Sequence, residues 1–340
     1  MPKLSLKIGS LLLLCLGLMG ANLWLGSVSF SLERIWAALL GNPWEASDAT
    51  IIWQFRMPKI GAALLCGAGL SVSGLLMQTF FRNPIAGPFV LGISSGASLG
   101  VALALMASNT LTALVGAAWA QSPVFILIMA ISGASLVLLL LLLVSWRVAD
   151  VNTLLILGLM FGSASSALVA LLQYFSNQQA LQQYVLWSMG SLTGLTPQEL
   201  FWLTPVCGIA LLAALGCSKW LDALLLGEQY AKSMGVPVRR LQQVILVITA
   251  VLAGSITAFC GPIAFVGIAV PHLARLLFRT HQHLILIMGS VLMGMVVLLA
   301  CQLIAQLPGS ELVLPINVVT SFLGAPMVMY LVLSGRTIQS

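Results

Sequence analysis

The sequence predicts an all-α polytopic membrane protein of about ten spanning helices, in one domain over 1–340. Three observations predict it. Of 340 residues, 60% are hydrophobic and only 6% charged, whereas soluble domains carry about a quarter charged residues. The charged positions leave long uncharged runs (8–32, 60–81, 83–146, 151–198, 200–218, 241–274, 280–310 and 312–335), and about 20 apolar residues suffice to cross a bilayer. Blocks such as Leu136-Val-Leu-Leu-Leu-Leu-Leu-Leu-Val144 lack the alternation that a lipid-facing β-strand needs. This composition excludes a soluble enzyme, a nucleic-acid binder and a disordered scaffold.

Taken in order, the runs place spans at about 8–28, 60–80, 88–107, 123–145, 151–173, 198–217, 241–259, 262–278, 284–305 and 313–334. The first follows Lys3 and Lys7, is long for a secretory signal and lacks a small-x-small cleavage site, so it reads as a retained helix. The connection 29–59 carries Glu33, Arg34, Glu45 and Asp48 and predicts a short amphipathic helix around Leu32–Leu40. The Gln-rich stretch 174–197 predicts another. In 218–240, Ala223, Leu226, Tyr230 and Met234 recur at helical spacing, giving a short helix closed by Gly235 and Pro237.

An even number of spans puts both termini on one side. With that side cytoplasmic, Lys3, Lys7, Arg82, Arg147, Lys219, Lys232, Arg239, Arg240, Arg275, Arg279 and Arg336 lie inside. Arg34, Arg56 and Lys59 lie outside. Eleven against three is a strong positive-inside bias, and the net charge of +6 reflects it.

Motifs for chemistry are sparse. No G-x-x-x-x-G-K-[ST] occurs, so any ATP belongs to another subunit. Gly92-Ile-Ser94-Ser-Gly96 fits a nucleophile elbow, the basis for an intramembrane hydrolase. It fits better a small-residue packing stripe continuing to Gly100, like those at Gly67, Gly69, Ser73, Gly74 and at Gly158 with Gly162. The six cysteines fall singly in apolar stretches and read as small buried hydrophobes. His281 and His283, beside Arg279, read as a solvated interfacial loop. No span holds a membrane-buried Asp or Glu, Glu199 lying at the very start of its span, which disfavours an ion-coupled secondary transporter. The spans instead hold neutral Gln78, Asn152, Gln302 and Gln306, with Asn317 at the last, read first as helix-to-helix hydrogen-bonding groups.

Six ordered blocks carry a resemblance over about 30–335. The first holds Phe55-Arg-Met-Pro-Lys59, Gly67-Ala-Gly-Leu-Ser-Val-Ser-Gly74, Met77-Gln78, Arg82-Asn-Pro-Ile-Ala-Gly-Pro88 and Leu91-Gly-Ile-Ser-Ser-Gly-Ala97. The others include Trp187-Ser-Met-Gly-Ser191, Leu226-Gly-Glu with Met234-Gly-Val236, Gly261-Pro-Ile-Ala-Phe-Val-Gly-Ile-Ala-Val-Pro-His272 with Arg275, and Leu314-Pro-Ile-Asn-Val-Val-Thr320 leading to Gly324-Ala-Pro326. Together they resemble the FecCD-type permeases, membrane subunits of importers for iron-siderophores, haem and vitamin B12.

The resemblance implies a type II ATP-binding-cassette importer permease fold in a bacterial inner membrane. Its implied partners are a second permease subunit, identical or homologous, two cytoplasmic ATPases, a periplasmic or lipid-anchored binding protein, and lipid. It implies no enzyme activity and no cofactor in this chain, with ATP and magnesium on the ATPase. By the same likeness, Leu226, Gly227, Glu228, Ala231, Met234 and Gly235 are expected to contact the ATPase. Arg56, Lys59 and the Gln306 position are expected to receive the binding protein. Asn83, Ile85, Val151 and Asn152 are expected to narrow the path. Where many relatives carry an Asp and then an Arg four residues on, this chain has Gln302 and Gln306, which implies an altered interface or a different pairing within the subunit. The expected cargo is a ferric siderophore or haem, since iron uptake is the commonest task of the family, with cobalamin as the alternative.

Overall fold

The fold is a bundle in which one long helix lies at the centre and the others wrap it. The computed structural model describes residues 2–26, 28, 30–107, 122–148, 150–306 and 313–334. The elements are α1 (Pro2–Trp24), α2 (Leu32–Leu39), α3 (Ala46–Thr50), a π turn (Ile51–Arg56), α4 (Met57–Phe80), a 3-10 turn (Pro88–Leu91), α5 (Ile93–Met106), α6 (Pro123–Ser145), α7 (Val151–Phe175), α8 (Gln178–Ser188) and α9 (Pro197–Gly216). There follow α10 (Ser218–Leu225), α11 (Glu228–Ser233), α12 (Val238–Cys260), α13 (Val266–Phe278), α14 (His283–Ala305) and α15 (Ile316–Ser334).

Among the described residues, seven helices are long and apolar enough to cross a membrane, and the shorter apolar α5, α13 and α15 fall where the other three spans are expected. The short helices over Leu32–Leu39 and Gln178–Ser188 are also present. Local chemistry sets the starts. Asp150 accepts from the backbone N–H groups of Asn152 and Thr153. Thr196 and Glu199 form a reciprocal capping box ahead of Pro197.

The structure departs from expectation in three places. The span expected at 60–80 is the end of a continuous helical rod over Ala46–Phe80, and the π turn lies just ahead of Pro58. Proline has no N–H for the carbonyl four residues back and clashes with it, and a widened turn relieves both conflicts. The span expected at 88–107 begins with the 3-10 turn and a left-handed Gly92 (φ 71°), leaving α5 only 14 residues long. The span expected at 262–278 begins only at Val266, after left-handed Gly261 (φ 74°) and Phe265 (φ 66°). Non-helical backbone at membrane depth is tolerated where protein covers it, and here Ser191 N–H bonds the Cys260 carbonyl while Asn317 Oδ1 accepts from Ala264 N–H.

Without a hydrophobic force between helices in lipid, close approach over small residues supplies the packing. A Cβ on Gly74 would lie 1.7 Å from the Gly267 carbonyl oxygen, and one on Gly67 would lie 2.3 Å from that of Gly294. These contacts bind α4 to α13 and α14. Gly96 and Gly100 meet Gly133 and Met129 in the same way, so α5 locks onto α6. All six cysteines are free and buried, as their apolar settings imply.

Long-range hydrogen bonds sort the chain into two ends. Lys7 reaches the Leu277 carbonyl, Arg82 the Leu224 carbonyl and His283 both Asp222 and Thr79. At the opposite end Arg56 reaches Leu23 and Trp24, and Asn317 N–H reaches the Met189 carbonyl. Every pairing agrees with ten alternating crossings, and 218–240 lies at the first end.

Candidate functional site

At the end that carries 218–240, the single helix expected over 223–234 is two. Gly227 (φ 114°, ψ 148°) breaks it into α10 and α11, in backbone space that only glycine enters without strain. The break divides the expected face. Ala223 and Ala231 are buried, whereas Leu226, Tyr230 and Met234 are 65%, 54% and 59% exposed. Glu228 starts α11 and accepts from Gln242 at 3.4 Å. Gly235 (φ 82°) ends it, with Gly235 N–H bonding the Lys232 carbonyl and Val236 N–H the Ala231 carbonyl, a Schellman closure. The result is a short stiff finger with an apolar tip, beside an open cleft of about 800 Å³ lined by Arg82, Leu226, Glu228 and Tyr230.

The turn after α4 begins at left-handed Arg82 (φ 47°). Asn83 Oδ1 accepts from Ile85 N–H at 3.1 Å, which fixes the turn and leaves the Ile85 side chain 49% exposed. The chain then rises through the 3-10 turn, which lies against α7 where a Cβ on Gly158 would come within 2.8 Å of the Val90 carbonyl oxygen. Asn152 is exposed in the first turn of α7. The Val151 side chain lies outside the described residues. Asp150 caps this turn, and its bonds to the Thr153 hydroxyl and to the amides of Thr153 and Asn152 hold its carboxyl below the usual carboxylate range.

At the opposite end, the expected pair of outward cations is not presented as such. Arg56 is 7% exposed. Its guanidinium donates to the carbonyls of Leu23, Trp24 and Val28 and lies 4.7 Å from the centre of the Phe30 ring. A cation with five donors suits the unpaired carbonyls and negative dipole at the end of α1. Arg34 pairs with Asp48 through two bonds of 3.0 and 2.8 Å and with Glu45 at 3.0 Å. Lys59 is half-buried and donates to the Gln306 side-chain oxygen, whose amide nitrogen in turn donates to the Leu25 carbonyl at 3.0 Å. All three basic residues expected outside are therefore engaged within the chain, and Gln306, where an arginine is common, serves Lys59 instead. Lys59 and Gln302 line an open-mouthed cavity of about 250 Å³ together with Leu186, Ser191, Thr193 and Val313. Gln302 is 2% exposed, and both its amide atoms lack a partner among the described residues.

Other neutral groups act as the sequence implies. Gln78 donates to the Ile268 carbonyl at 3.1 Å and accepts from Arg275. Ser94, in the first turn of α5, bonds Thr257 at 3.1 Å, and a 3-10 turn rather than a strand precedes it, so it forms no strand-to-helix elbow. The reading of His283 is corrected: it is 1% exposed, with both ring nitrogens in hydrogen bonds. Its partner Asp222, 61 residues away, left no local trace in the sequence.

A family profile described as the FecCD transport family matches residues 11–334. The chain belongs to that family. This FecCD permease is 36% identical over 323 residues to the vitamin B12 import system permease protein BtuC of Salmonella paratyphi A, covering 91% of this chain and 94% of that one. It is 35% identical over 323 residues to the BtuC protein of Salmonella typhimurium, with the same coverage. Among solved structures, it resembles a metal-chelate type ABC transporter in an inward-facing conformation, with TM-score 0.84, 28% identity, and 96% and 98% of the two chains covered. PsaBC from Streptococcus pneumoniae, at 16% identity and TM-score 0.53 over 83% and 92% of the chains, shares the fold. The FecCD permease is a multi-pass membrane protein and the permease subunit of an ABC importer.

Proposed function

We propose that the chain forms half of a transmembrane path that admits a bulky metal chelate from the periplasm to the cytoplasm by alternating access. Full-length likeness to permeases named for vitamin B12 carries this reading and puts cobalamin, the alternative in the sequence reading, ahead of ferric siderophore or haem. The 0.84 match to a metal-chelate type transporter favours the chelate class as a whole and keeps the iron chelates as the second reading. The chain pairs with an identical or homologous permease, two ATPases hydrolyse ATP with magnesium, and a periplasmic or lipid-anchored binding protein delivers the cargo. The membrane is the bacterial cytoplasmic one, with both termini inside.

In this reading the finger formed by Leu226, Gly227, Glu228, Ala231, Met234 and Gly235 docks on the ATPase. Its support is the exposed tip of Leu226, Tyr230 and Met234 on a segment whose inner face is already buried. The Asn83–Ile85 turn and Val151 with Asn152 form the inner constriction. Lys59 and Gln306 face the binding protein, while Arg56 holds the end of α1, beside the Leu25 carbonyl to which Gln306 is tied. The test is ATP hydrolysis by the complex purified through a tag on this chain, with binding proteins loaded with cyanocobalamin, ferric siderophore or haem. Stimulation by one loaded form establishes the importer and its cargo. A complex prepared under conditions that preserve membrane assemblies, yet without any ATPase, overturns the reading.

A further inference from the structure

Beside the Arg82–Leu224 and Glu228–Gln242 contacts, a three-residue polar bridge joins the finger to the bundle, half-exposed at Asp222 and buried at His283. Asp222, in α10, lies five residues before the Gly227 break. Its Oδ1 accepts from both the backbone N–H and the ring Nδ1 of His283, each at 2.7 Å. The first bond caps α14, whose opening N–H groups have no partner within the helix. The other ring nitrogen, Nε2, lies 2.9 Å from Thr79 Oγ1 in the last turn of α4. His283 is 1% and Thr79 4% exposed, so neither exchanges its partner for water without cost. Close packing at Gly67 and Gly294 already fixes α4 against α14. A shift of α10 therefore cannot move one of these helices without the other while the bridge holds.

We propose that Asp222, His283 and Thr79 are positioning residues that pass displacement of the α10–α11 finger to α4 and α14 together, so that breaking the bridge uncouples ATP hydrolysis from transport. This rests on the reading of the finger as the ATPase contact. Apolar contact of Leu221 and Leu224 seats α10 against the bundle, but such packing can slide. A hydrogen-bonded side chain shared among three elements has one register.

The measurement is chelate taken up per ATP hydrolysed by the reconstituted complex, using whichever of cyanocobalamin, ferric siderophore or haem drives the wild type. Loss of folded protein lowers both quantities and leaves this ratio unmoved. Asp222→Ala and Thr79→Val are each expected to lower it by at least about fivefold, the low end of measured coupling between sites. Asp222→Asn and Thr79→Ser, which keep an acceptor and a hydroxyl, are expected to stay within about twofold of wild type. The Asp222→Ala, Thr79→Val double variant is expected to match the worse single one, since both cut the same connection. An unchanged ratio in the Ala and Val variants overturns the proposal. So do Asn and Ser variants that fall as far as these, and a double variant whose loss is the product of the two. If the wild-type complex shows no ATP-driven uptake, the importer reading fails and takes this inference with it. Wild-type coupling with indifferent variants sinks the bridge alone.

Discussion

A methyl group at Gly74 would lie inside the Gly267 carbonyl, so the contact of α4 with α13 there rests on one missing carbon. Gly74→Ala is expected to cost about 1–3 kcal/mol by overpacking, read as a lower unfolding temperature of the detergent-purified protein. Gly208→Ala, with nothing within 4 Å of the added carbon, is expected to be neutral or to stabilise by about 0.5–1 kcal/mol. Arg56→Gln tests the inner role of that cation. With partly buried carbonyls left short of donors, a loss of about 1–3 kcal/mol is expected, visible as faster amide exchange at the end of α1 even without a binding protein. Asp150 carries a pH dependence. Its folded-state carboxyl titrates below the unfolded value of about 3.9, because the Thr153 hydroxyl and two amides favour the anion. Its contribution is therefore complete above the unfolded value and disappears as pH falls through the lowered folded one. Protection of the Asn152 and Thr153 amides, measured against the intrinsic exchange rate at each pH, is expected to fall only below about pH 4, and Asp150→Ala to abolish that dependence. At this scale the sequence was readable where a residue serves its neighbours in the chain, as for Gly235, expected to close its helix and found to do so. It was silent where the partner is remote, as for Arg56, Lys59 and His283.

Among elements, the finger shows what periodicity can and cannot reveal. Ala223, Leu226, Tyr230 and Met234 are spaced as one helical face, and Gly227 is an allowed if unfavourable helical residue, so nothing local requires a break. The bundle decides the matter by burying Ala223 and Ala231 and turning the larger side chains out. Gly227→Ala forces a side chain into φ near 114°, at about 1–3 kcal/mol of local strain. It is expected to weaken ATPase association by more than it lowers the unfolding temperature of the isolated chain, since the exposed finger can relax part of the strain locally. Equal losses in both would mean that the finger is part of the core. The same logic explains the shortened spans. Apolar composition marked 88–107 and 262–278 correctly, but the 3-10 turn and left-handed Phe265 are set by Gly158 and Asn317, which approach from other helices.

For the whole molecule, charge asymmetry and the count of uncharged runs were enough to order ten crossings, and the two-ended pattern of hydrogen bonds agrees with that order. Which end faces the cytoplasm follows from the positive-inside bias and is open to direct test. A single reactive cysteine at Lys219 or Arg240, in a background freed of the six native ones, is expected to be labelled by a membrane-impermeant thiol reagent only after lysis. One at Trp44 or Thr193 is expected to react in intact spheroplasts. The opposite pattern would invert the orientation. The brevity of α5 and α13 also bears on how the protein is made. At about 1.5 Å per residue their 14 and 13 residues reach only about 20 Å, short of the roughly 30 Å hydrocarbon layer. Neither segment is well suited to enter the bilayer alone from the translocation machinery, and each has a later-synthesised neighbour, α6 for the one and α14 with α15 for the other. Biogenesis should therefore proceed by delayed, grouped insertion. Nascent chains halted soon after Met106 or Phe278 would still hold those segments in the protein-conducting channel, waiting for the helices that make them fit.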